Sequence, residues 1–141
     1  TIKIDKSVKK LLKEEENFGI KKYKTYKKFG EKVYRIRDNV IKNLKKLKEN
    51  NHLVIGYGAP AKATTALNFF GVDKEIDFIV EDNKLKHNKF IPGVKIPIKN
   101  KLIINNKKNT IVVLAWNFFK DIKKNNSEFS DKFVNIKDLE K

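Results

Sequence analysis

The segment from Leu53 to Phe70 constrains the fold of this chain more than any other. A short apolar run at residues 53–55 leads into the turn Gly56-Tyr57-Gly58-Ala59-Pro60, and a helix-forming stretch at residues 61–70 follows it and ends before Gly71. Uninterrupted apolar runs of this length are typical of strands buried in a parallel sheet. Proline near the start of a helix and glycine just after its end are common boundary residues. The segment therefore predicts a buried strand, a tight glycine turn and a helix.

The rest of the chain continues this alternation of strands and helices. Further strands are predicted at residues 76–80, 110–115 and 133–136, with a short edge strand inside the proline-containing loop at residues 90–98. Brief helices are expected at residues 100–106 and 118–124. Strands alternating with helices predict an α/β fold, here a Rossmann-like three-layer domain with a mostly parallel sheet.

Two amphipathic helices are predicted before the first strand. The first is expected near residues 5–17, with Asp5 as its N-cap. The second is expected near residues 20–50. Its apolar residues at helical spacing are Tyr26, Phe29, Val33, Ile36, Val40, Leu44 and Leu47. We therefore divide the chain into an N-terminal helical segment, residues 1–50, and a Rossmann-like domain, residues 51–141. The long helix could also pair with a copy of itself in a homodimer.

The composition narrows the classes of partner. A formal net charge of +16 raises the question of nucleic acid. However, only Arg35 and Arg37 are arginines, the residue favoured for base and bidentate phosphate recognition, and the lysines are spread along the whole chain. Nucleic acid is therefore not the expected partner, although a basic module that binds nucleic acid or protein stays open as a third hypothesis. With no Cys and only His52 and His87, no metal site is predicted. No apolar run of membrane-spanning length and no secretory signal is present, so a cytoplasmic location away from membranes is expected.

The glycine turn is the main candidate for ligand binding. In parallel α/β sheets ligands bind beyond the carboxyl ends of the strands. The turn has the G-x-G-x-x-A form, in which Gly56 permits a tight turn, Gly58 lets the backbone approach a phosphate and Ala61 lets the helix pack closely. The helix amides and Lys62 would attract an anion. Small residues also satisfy packing alone, so a ligand-binding turn and a purely structural turn remain alternatives.

Other candidate residues follow the second and third predicted strands. Glu81 or Asp82 lies where a ribose-binding acid is expected, although carboxylates there also cap turns. Trp116 either covers the core or stacks on a ligand, and Asn117 either caps a helix or binds substrate. No catalytic triad or carboxylate pair can be assembled, so no catalytic residue is predicted. The predicted substrate-binding residues are Gly56, Tyr57, Gly58, Ala59, Ala61, Lys62, Asp82, Asn83, Trp116 and Asn117.

Four sequence blocks together resemble one known family. They are residues 56–71; Glu81-Asp82-Asn83 with Lys86; Ile91-Pro92-Gly93 with Ile96-Pro97-Ile98; and residues 114–118. The chain from about Ile20 to its C-terminus resembles the C-terminal domain of sugar C-methyltransferases that use S-adenosylmethionine. It departs from the family at Lys84 and at His87-Asn88, where members often carry Pro and Gln-Gly.

The resemblance implies a domain that binds a nucleotide-linked sugar and is not catalytic alone. Family members resemble a three-part enzyme. A Cys-rich zinc module and a central domain for S-adenosylmethionine precede the domain found here, and the acid and base residues are expected in the central part. The chain begins at Thr1 and contains no Met, so it is expected to be a fragment without a cofactor of its own. The alternative is the nucleotide-binding domain of an oxidoreductase that uses NAD or NADP, which the glycine turn favours.

Overall fold

Among the residues that the structure describes, the sheet has five strands, all parallel. A computed structural model describes residues 5–49, 52–72, 74–101, 104 and 108–141. The strands are β1 (Leu53–Tyr57), β2 (Phe78–Val80), β3 (Ile98–Lys99), β4 (Asn109–Val113) and β5 (Phe133–Asn135). The α-helices are α1 (Lys6–Phe18), α2 (Tyr23–Lys48), α3 (Ala61–Phe70) and α4 (Phe119–Asn125). The predicted α/β class, with a long amphipathic helix before a parallel sheet, is confirmed.

The strand order β3-β2-β1-β4-β5 places β1 in the middle of the sheet. The chain runs outward from β1 to β2 and β3, then returns to add β4 on the other side of β1. Gly56 in β1 is paired both with Ile79 in β2 and with Val112 in β4. The direction of strand addition therefore reverses between β1 and β4, and a crevice at the carboxyl ends of such strands is where parallel sheets bind ligands.

Each face of the sheet buries its own apolar core, because side chains alternate along a strand. Val54 in β1 belongs to the first core, together with residues of α2 and α3 such as Leu44 and Leu67. Ile55 and Tyr57 belong to the second core, against which α4 packs through Ile122. Helices thus cover both faces, as predicted for a three-layer domain. Burying each large aliphatic side chain stabilises the fold by about 1.5–3 kcal/mol.

The chain divides into two compact units, Thr1–Arg35 and Ile36–Lys141. In the first unit, Asp5 caps α1 by accepting a hydrogen bond from the Ser7 amide at 2.7 Å, as predicted. Gly19 ends α1 in the left-handed conformation, with φ of 79°. In the second unit, Val40 and Leu44 of α2 are completely buried in the first core. The boundary residues Asp5 and Gly19 of α1 therefore behave as the sequence predicts.

Several boundaries differ from the predicted ones. The helix expected at residues 100–106 falls mostly outside the described residues. Asn117 does not cap a helix: Trp116–Phe118 forms a 3-10 turn, and α4 begins after Phe118 without a side-chain cap. Helix α2 begins at Tyr23 because the Lys22 amide bonds back to the Gly19 carbonyl at 2.9 Å and closes a separate turn. No helix within the described ranges is long and apolar enough to cross a membrane.

Candidate functional site

Gly56, near the end of β1, and Gly58, in the turn after it, are required by their surroundings. A Cβ atom on Gly56 would lie 2.7 Å from Cγ1 of Ile79 and 3.0 Å from Cδ1 of Leu114. Gly58 has φ of +86°, and its Cβ would lie 3.1 Å from that of Ala115. Left-handed backbone of this kind favours glycine. Packing and backbone conformation therefore account for both glycines without reference to a ligand.

A carboxylate from the end of β2 fixes the conformation of this turn. Oε2 of Glu81 accepts a hydrogen bond from the Ala59 amide at 2.8 Å, and Oε1 accepts one from the Asn83 amide at 3.1 Å. The Lys86 ammonium lies 3.4 Å from Oε2 and donates to the Ala59 carbonyl at 2.9 Å. Because Ala59 is buried and its amide is already bonded, the first part of the turn has no free donor for an anion. Glu81 and Lys86 therefore act as an internal clasp on the turn.

The electrostatics of the clasp favour the ionised carboxylate. Burial of Glu81 raises its pKa, but the amide hydrogen bonds from Ala59 and Asn83 and the neighbouring Lys86 ammonium outweigh burial, so the pKa is lowered overall. His87 adds a further contact, because its Nε2 donates to the Glu81 carbonyl across 2.7 Å. Glu81 is thus held as a charged group that the domain itself neutralises.

The open part of the turn is the first turn of α3. The amides of Ala61 and Lys62 have no hydrogen-bond partner among the described residues, as is normal at a helix N-terminus. The Lys62 ammonium lies 4.3 Å from the centre of the Trp116 ring and 5.8 Å from the centre of the Phe118 ring. These contacts join the loop after β1 to the loop after β4. A positive charge, two free donors and an aromatic face therefore meet where strand addition reverses.

A second polar cluster lies on the other face of the sheet. The Tyr57 hydroxyl donates to Oδ2 of Asp82 at 2.9 Å and lies 3.4 Å from Oδ1 of Asn126. The Lys101 ammonium donates to the same Asn126 oxygen at 3.2 Å and lies 3.7 Å from Oδ1 of Asp82. Asn126 is only 3% exposed. Burial, followed by the hydrogen bond and negative charge of Asp82, raises the pKa of Tyr57 well above its usual value. Consecutive acids, Glu81 and Asp82, therefore serve separate clusters.

Comparison with known proteins assigns the chain to a family. Residues 1–136 match the family described as the C-methyltransferase C-terminal domain. The chain belongs to this family. It is also 30% identical over 125 residues to the C-methyltransferase NovU of Streptomyces niveus, a match that covers 87% of this chain and 30% of NovU. The chain therefore spans about a third of the length of that relative. The resemblance found in the sequence is confirmed.

In this C-methyltransferase C-terminal domain, the predicted site residues fall into three groups. Gly56, Tyr57, Gly58 and Ala59 are buried. Ala61, Lys62, Trp116 and Asn117 lie on the helix and loop that begin at the carboxyl ends of β1 and β4, and Lys62 and Trp116 are in contact. Asp82 and Asn83 are exposed, and the Asn83 side chain caps the short turn Lys84–Lys86 by accepting from the Leu85 amide at 3.0 Å. The second group combines the unpaired amides of Ala61 and Lys62 with access from solvent.

Some residues that shape this domain were missed in the sequence. Asn126 and Lys101 were not singled out, and no local pattern marks them, because each is defined by its contact with Tyr57 or Asp82. Asn68 lies within the block 56–71, and no signal in the sequence marked it as a contact residue. Its side chain donates to the carbonyls of Thr64 and Pro92, both at 2.8 Å, and so ties α3 to the proline loop. Over the part of the chain that the structure covers, no group of three or more His, Cys, Asp or Glu side chains could hold a metal ion.

Proposed function

We propose that this domain binds the nucleotide-linked sugar of a C-methyltransferase that uses S-adenosylmethionine, and that it does not transfer the methyl group by itself. The observation that carries the proposal is the group of free donors at the start of α3, the amides of Ala61 and Lys62, beside the Lys62 ammonium and the Trp116 ring. A helix N-terminus with a nearby lysine is suited to a diphosphate. An aromatic face is suited to a planar base or a sugar ring.

Charge also supports an anionic substrate. A net charge of +16 attracts a nucleotide diphosphate over long range. The Glu81 carboxylate, which accepts from the backbone of the glycine turn, is neutralised by two amides and Lys86. In this arrangement Lys62 binds the diphosphate and Trp116 supports the base, once the ammonium has moved from the ring to the phosphates.

The two carboxylates that follow β2, those of Glu81 and Asp82, are already engaged and are poorly suited to removing a proton from a sugar carbon. A general base must reach the proton it removes and must be free to accept it. Within the described rim, the Glu81 carboxylate is engaged by the turn, and Asp82 accepts from Tyr57 beside Lys101. We therefore assign the acid–base residues, the methyl donor S-adenosylmethionine and the zinc module to other parts of a longer enzyme.

A second candidate, the nucleotide-binding domain of an oxidoreductase that uses NAD or NADP, is favoured by one observation. Gly58 follows β1 with positive φ, and Ala61 completes the G-x-G-x-x-A spacing of dinucleotide-binding turns. The Ala59 amide counts against it, because Glu81 already occupies that donor inside the turn.

Ligand binding by the 141-residue chain distinguishes the two candidates. Calorimetry and thermal unfolding are compared for dTDP-, UDP-, GDP- and CDP-glucose, NAD, NADP and S-adenosylmethionine. A ligand at 100 times its Kd stabilises the folded state by about 2.7 kcal/mol. We expect at least one nucleotide sugar to raise the melting temperature more than the dinucleotides do. Selective binding of NAD or NADP, or no binding of any nucleotide sugar, would overturn the proposal.

A pair of lysine variants localises the site. Lys62→Met removes the ammonium at the start of α3, and Lys45→Met removes an exposed one near the end of α2. Lys48 in the last turn of α2 forms an ion pair with Asp77, which comes directly before β2. The C-terminal end of α2 therefore lies near the amino ends of the strands, away from Lys62. We expect about a tenfold loss of affinity for Lys62→Met, equivalent to about 1.4 kcal/mol, and no change for Lys45→Met. Equal losses in the two variants would indicate nonspecific charge attraction.

A further inference from the structure

The first compact unit, Thr1–Arg35, leaves its largest apolar side chains uncovered. No residue of α1 is buried. Phe18 is 72% exposed, Phe29 is 65% exposed and Tyr26 is 57% exposed. Isolated exposed apolar residues are common on protein surfaces, but neighbouring ones that form a concave surface mark an interaction site. The relative positions of these three side chains therefore decide whether they form a binding surface.

These aromatic residues line two adjoining clefts. Two clefts, of about 330 and 420 Å³, share Phe18, Thr25 and Phe29 as walls. Tyr26 completes the first cleft, and Lys28 and Lys32 border the second. This size falls within the usual range for binding pockets, about 300–1,000 Å³. We call the surface formed by these six residues the helical groove.

The floor of the helical groove is apolar, although a threonine lines it. The Thr25 hydroxyl donates a hydrogen bond to the Gly19 carbonyl at 2.8 Å, so its proton is already used at the end of α1. Phe18 and Phe29 form the other walls that the two clefts share, so the surface between the lysines and Tyr26 is mainly apolar.

The charge around the groove selects the partner. Residues 21–35 contain seven lysines and arginines and one glutamate. A second copy of this chain would bring two such basic stretches together, and like charges at short range repel. The acidic run at Glu14, Glu15 and Glu16 interrupts the basic surface of this unit and makes it less suited to a uniformly anionic nucleic acid or lipid surface. A peptide avoids both problems, because it can place its carboxylates beside Lys28 and Lys32 alone.

We propose that the helical groove binds an acidic amphipathic segment of another polypeptide. Apolar side chains of the segment insert against Phe18 and Phe29, and its carboxylates pair with Lys28 and Lys32. This is the helix-in-groove mode of recognition, in which apolar anchors provide affinity and flanking charges provide orientation. The proposal does not depend on the nucleotide-sugar site, because every residue of the groove lies in the first unit.

Fluorescence anisotropy with the full 141-residue chain tests the proposal. The probe is a labelled helical peptide of about 18 residues with leucines on one face and glutamates on the others. One control peptide has the same composition with the leucines scattered, and another has lysine in place of glutamate. At about 0.15 M salt we expect the amphipathic acidic peptide to bind at least tenfold more tightly than either control.

Matched variants tie this binding to the groove. Phe29→Ala and the double variant Lys28→Glu with Lys32→Glu should each weaken binding about tenfold. Leu85→Ala, at a side chain that is 78% exposed, and Lys45→Glu are the controls and should bind as the unchanged chain does. All the changed side chains are exposed, so circular dichroism should show the same helix content in every variant.

Four results would overturn the proposal. The first is equal binding of the scattered and amphipathic peptides, and the second is unchanged binding in Phe29→Ala. The third is tighter binding of a single-stranded oligothymidine or of phosphatidylglycerol vesicles than of the acidic peptide. The fourth is a dimer in sedimentation experiments that Phe29→Ala dissociates, because a second copy would then be the occupant of the groove.

Discussion

Replacing Glu81 with Gln tests whether this side chain holds the glycine turn together. The carboxylate accepts from the Ala59 amide at 2.8 Å and from the Asn83 amide at 3.1 Å, with Lys86 at 3.4 Å. Glutamine offers one carbonyl oxygen in place of two carboxylate oxygens, and its NH2 group meets an amide that also donates. Since Ala59 is buried and Asn83 is exposed, we expect the carbonyl to stay with Ala59 and the Asn83 amide to turn to water.

The expected loss of stability in Glu81→Gln follows from the hydrogen bonds and the ion pair that the substitution weakens or removes. Hydrogen bonds to charged groups contribute about 1.5–3 kcal/mol, and neutral ones about 0.5–1.5 kcal/mol. Glu81→Gln makes the bond from Ala59 a neutral one, frees the exposed Asn83 amide and removes a partly exposed ion pair with Lys86 that contributes about 0–1 kcal/mol. Since water compensates for much of the Asn83 bond, we expect the free energy of unfolding at neutral pH to fall by about 1–2 kcal/mol.

The lowered pKa of Glu81 determines how its contribution to stability changes with pH. The pKa of Glu81 is lower in the folded chain than its ordinary value, so its stabilisation is present at neutral pH. This contribution declines as the pH falls below the unfolded value of about 4.3 and is lost once the pH passes below the folded pKa. The difference in stability between the unchanged chain and Glu81→Gln should therefore shrink with acidification, because protonation produces a neutral side chain in both.

Urea unfolding at pH 7 and at about pH 3, followed by circular dichroism, measures both quantities. Asp82→Asn is the matched control. It makes the same change at the next residue, where the carboxylate is 62% exposed and asparagine can still accept from Tyr57. We expect Asp82→Asn to cost less than about 0.5 kcal/mol. A Glu81→Gln variant as stable as the unchanged chain at neutral pH, or one whose deficit grows in acid, would refute the reasoning.

Three further predictions concern the rest of the second unit and the long helix. Gly58→Ala should destabilise the chain by about 1–3 kcal/mol because of its positive φ, whereas Gly30→Ala should stabilise it by about 0.5–1 kcal/mol, because that glycine lies inside α2 with open space around it; thermal unfolding of the pair measures both. Tyr57→Phe should remove the last phase of the alkaline absorbance titration of the four tyrosines, since burial and Asp82 raise the pKa of this one, and retention of that phase would assign it to another tyrosine. Leu44→Ala should cost about 2–5 kcal/mol in urea unfolding, because the side chain is completely buried, and a smaller loss would mean that α2 is not firmly packed on the sheet.

Helix boundaries were predictable from the sequence where a single residue type decides them. Helix α3 runs from Ala61 to Phe70, as its flanking proline and glycine predict, and Gly71 adopts φ of 70°. The start of α1 was predictable in the same way, because the Asp5 side chain accepts a hydrogen bond from the Ser7 amide. These signals are local, because each depends on the φ angle or the hydrogen bond of one residue. The first turn of α4 lacks such a signal, and the role of Asn117 could not be fixed in advance.

The site was less predictable because it depends on contacts between strands. The bond from the Ala59 amide to Glu81 follows from the register that aligns Tyr57 with Val80, which no local pattern specifies. One signal was available and not used: alternation along β1 places Tyr57 on the opposite face from Val54 and Gly56. That alternation would have directed its hydroxyl into the second core, away from the turn.

Trp116 gives this domain an intrinsic optical probe. It is the one tryptophan in the sequence, and the Lys62 ammonium lies 4.3 Å from the centre of its ring. A nearby cation shifts the emission wavelength of an indole. A ligand that moves the Lys62 ammonium away from Trp116 would therefore change the wavelength and lifetime of its fluorescence, and no attached dye is needed. Titrations, stopped-flow rates and competition between unlabelled nucleotides can then all be followed from a single side chain at the reversal point of the sheet.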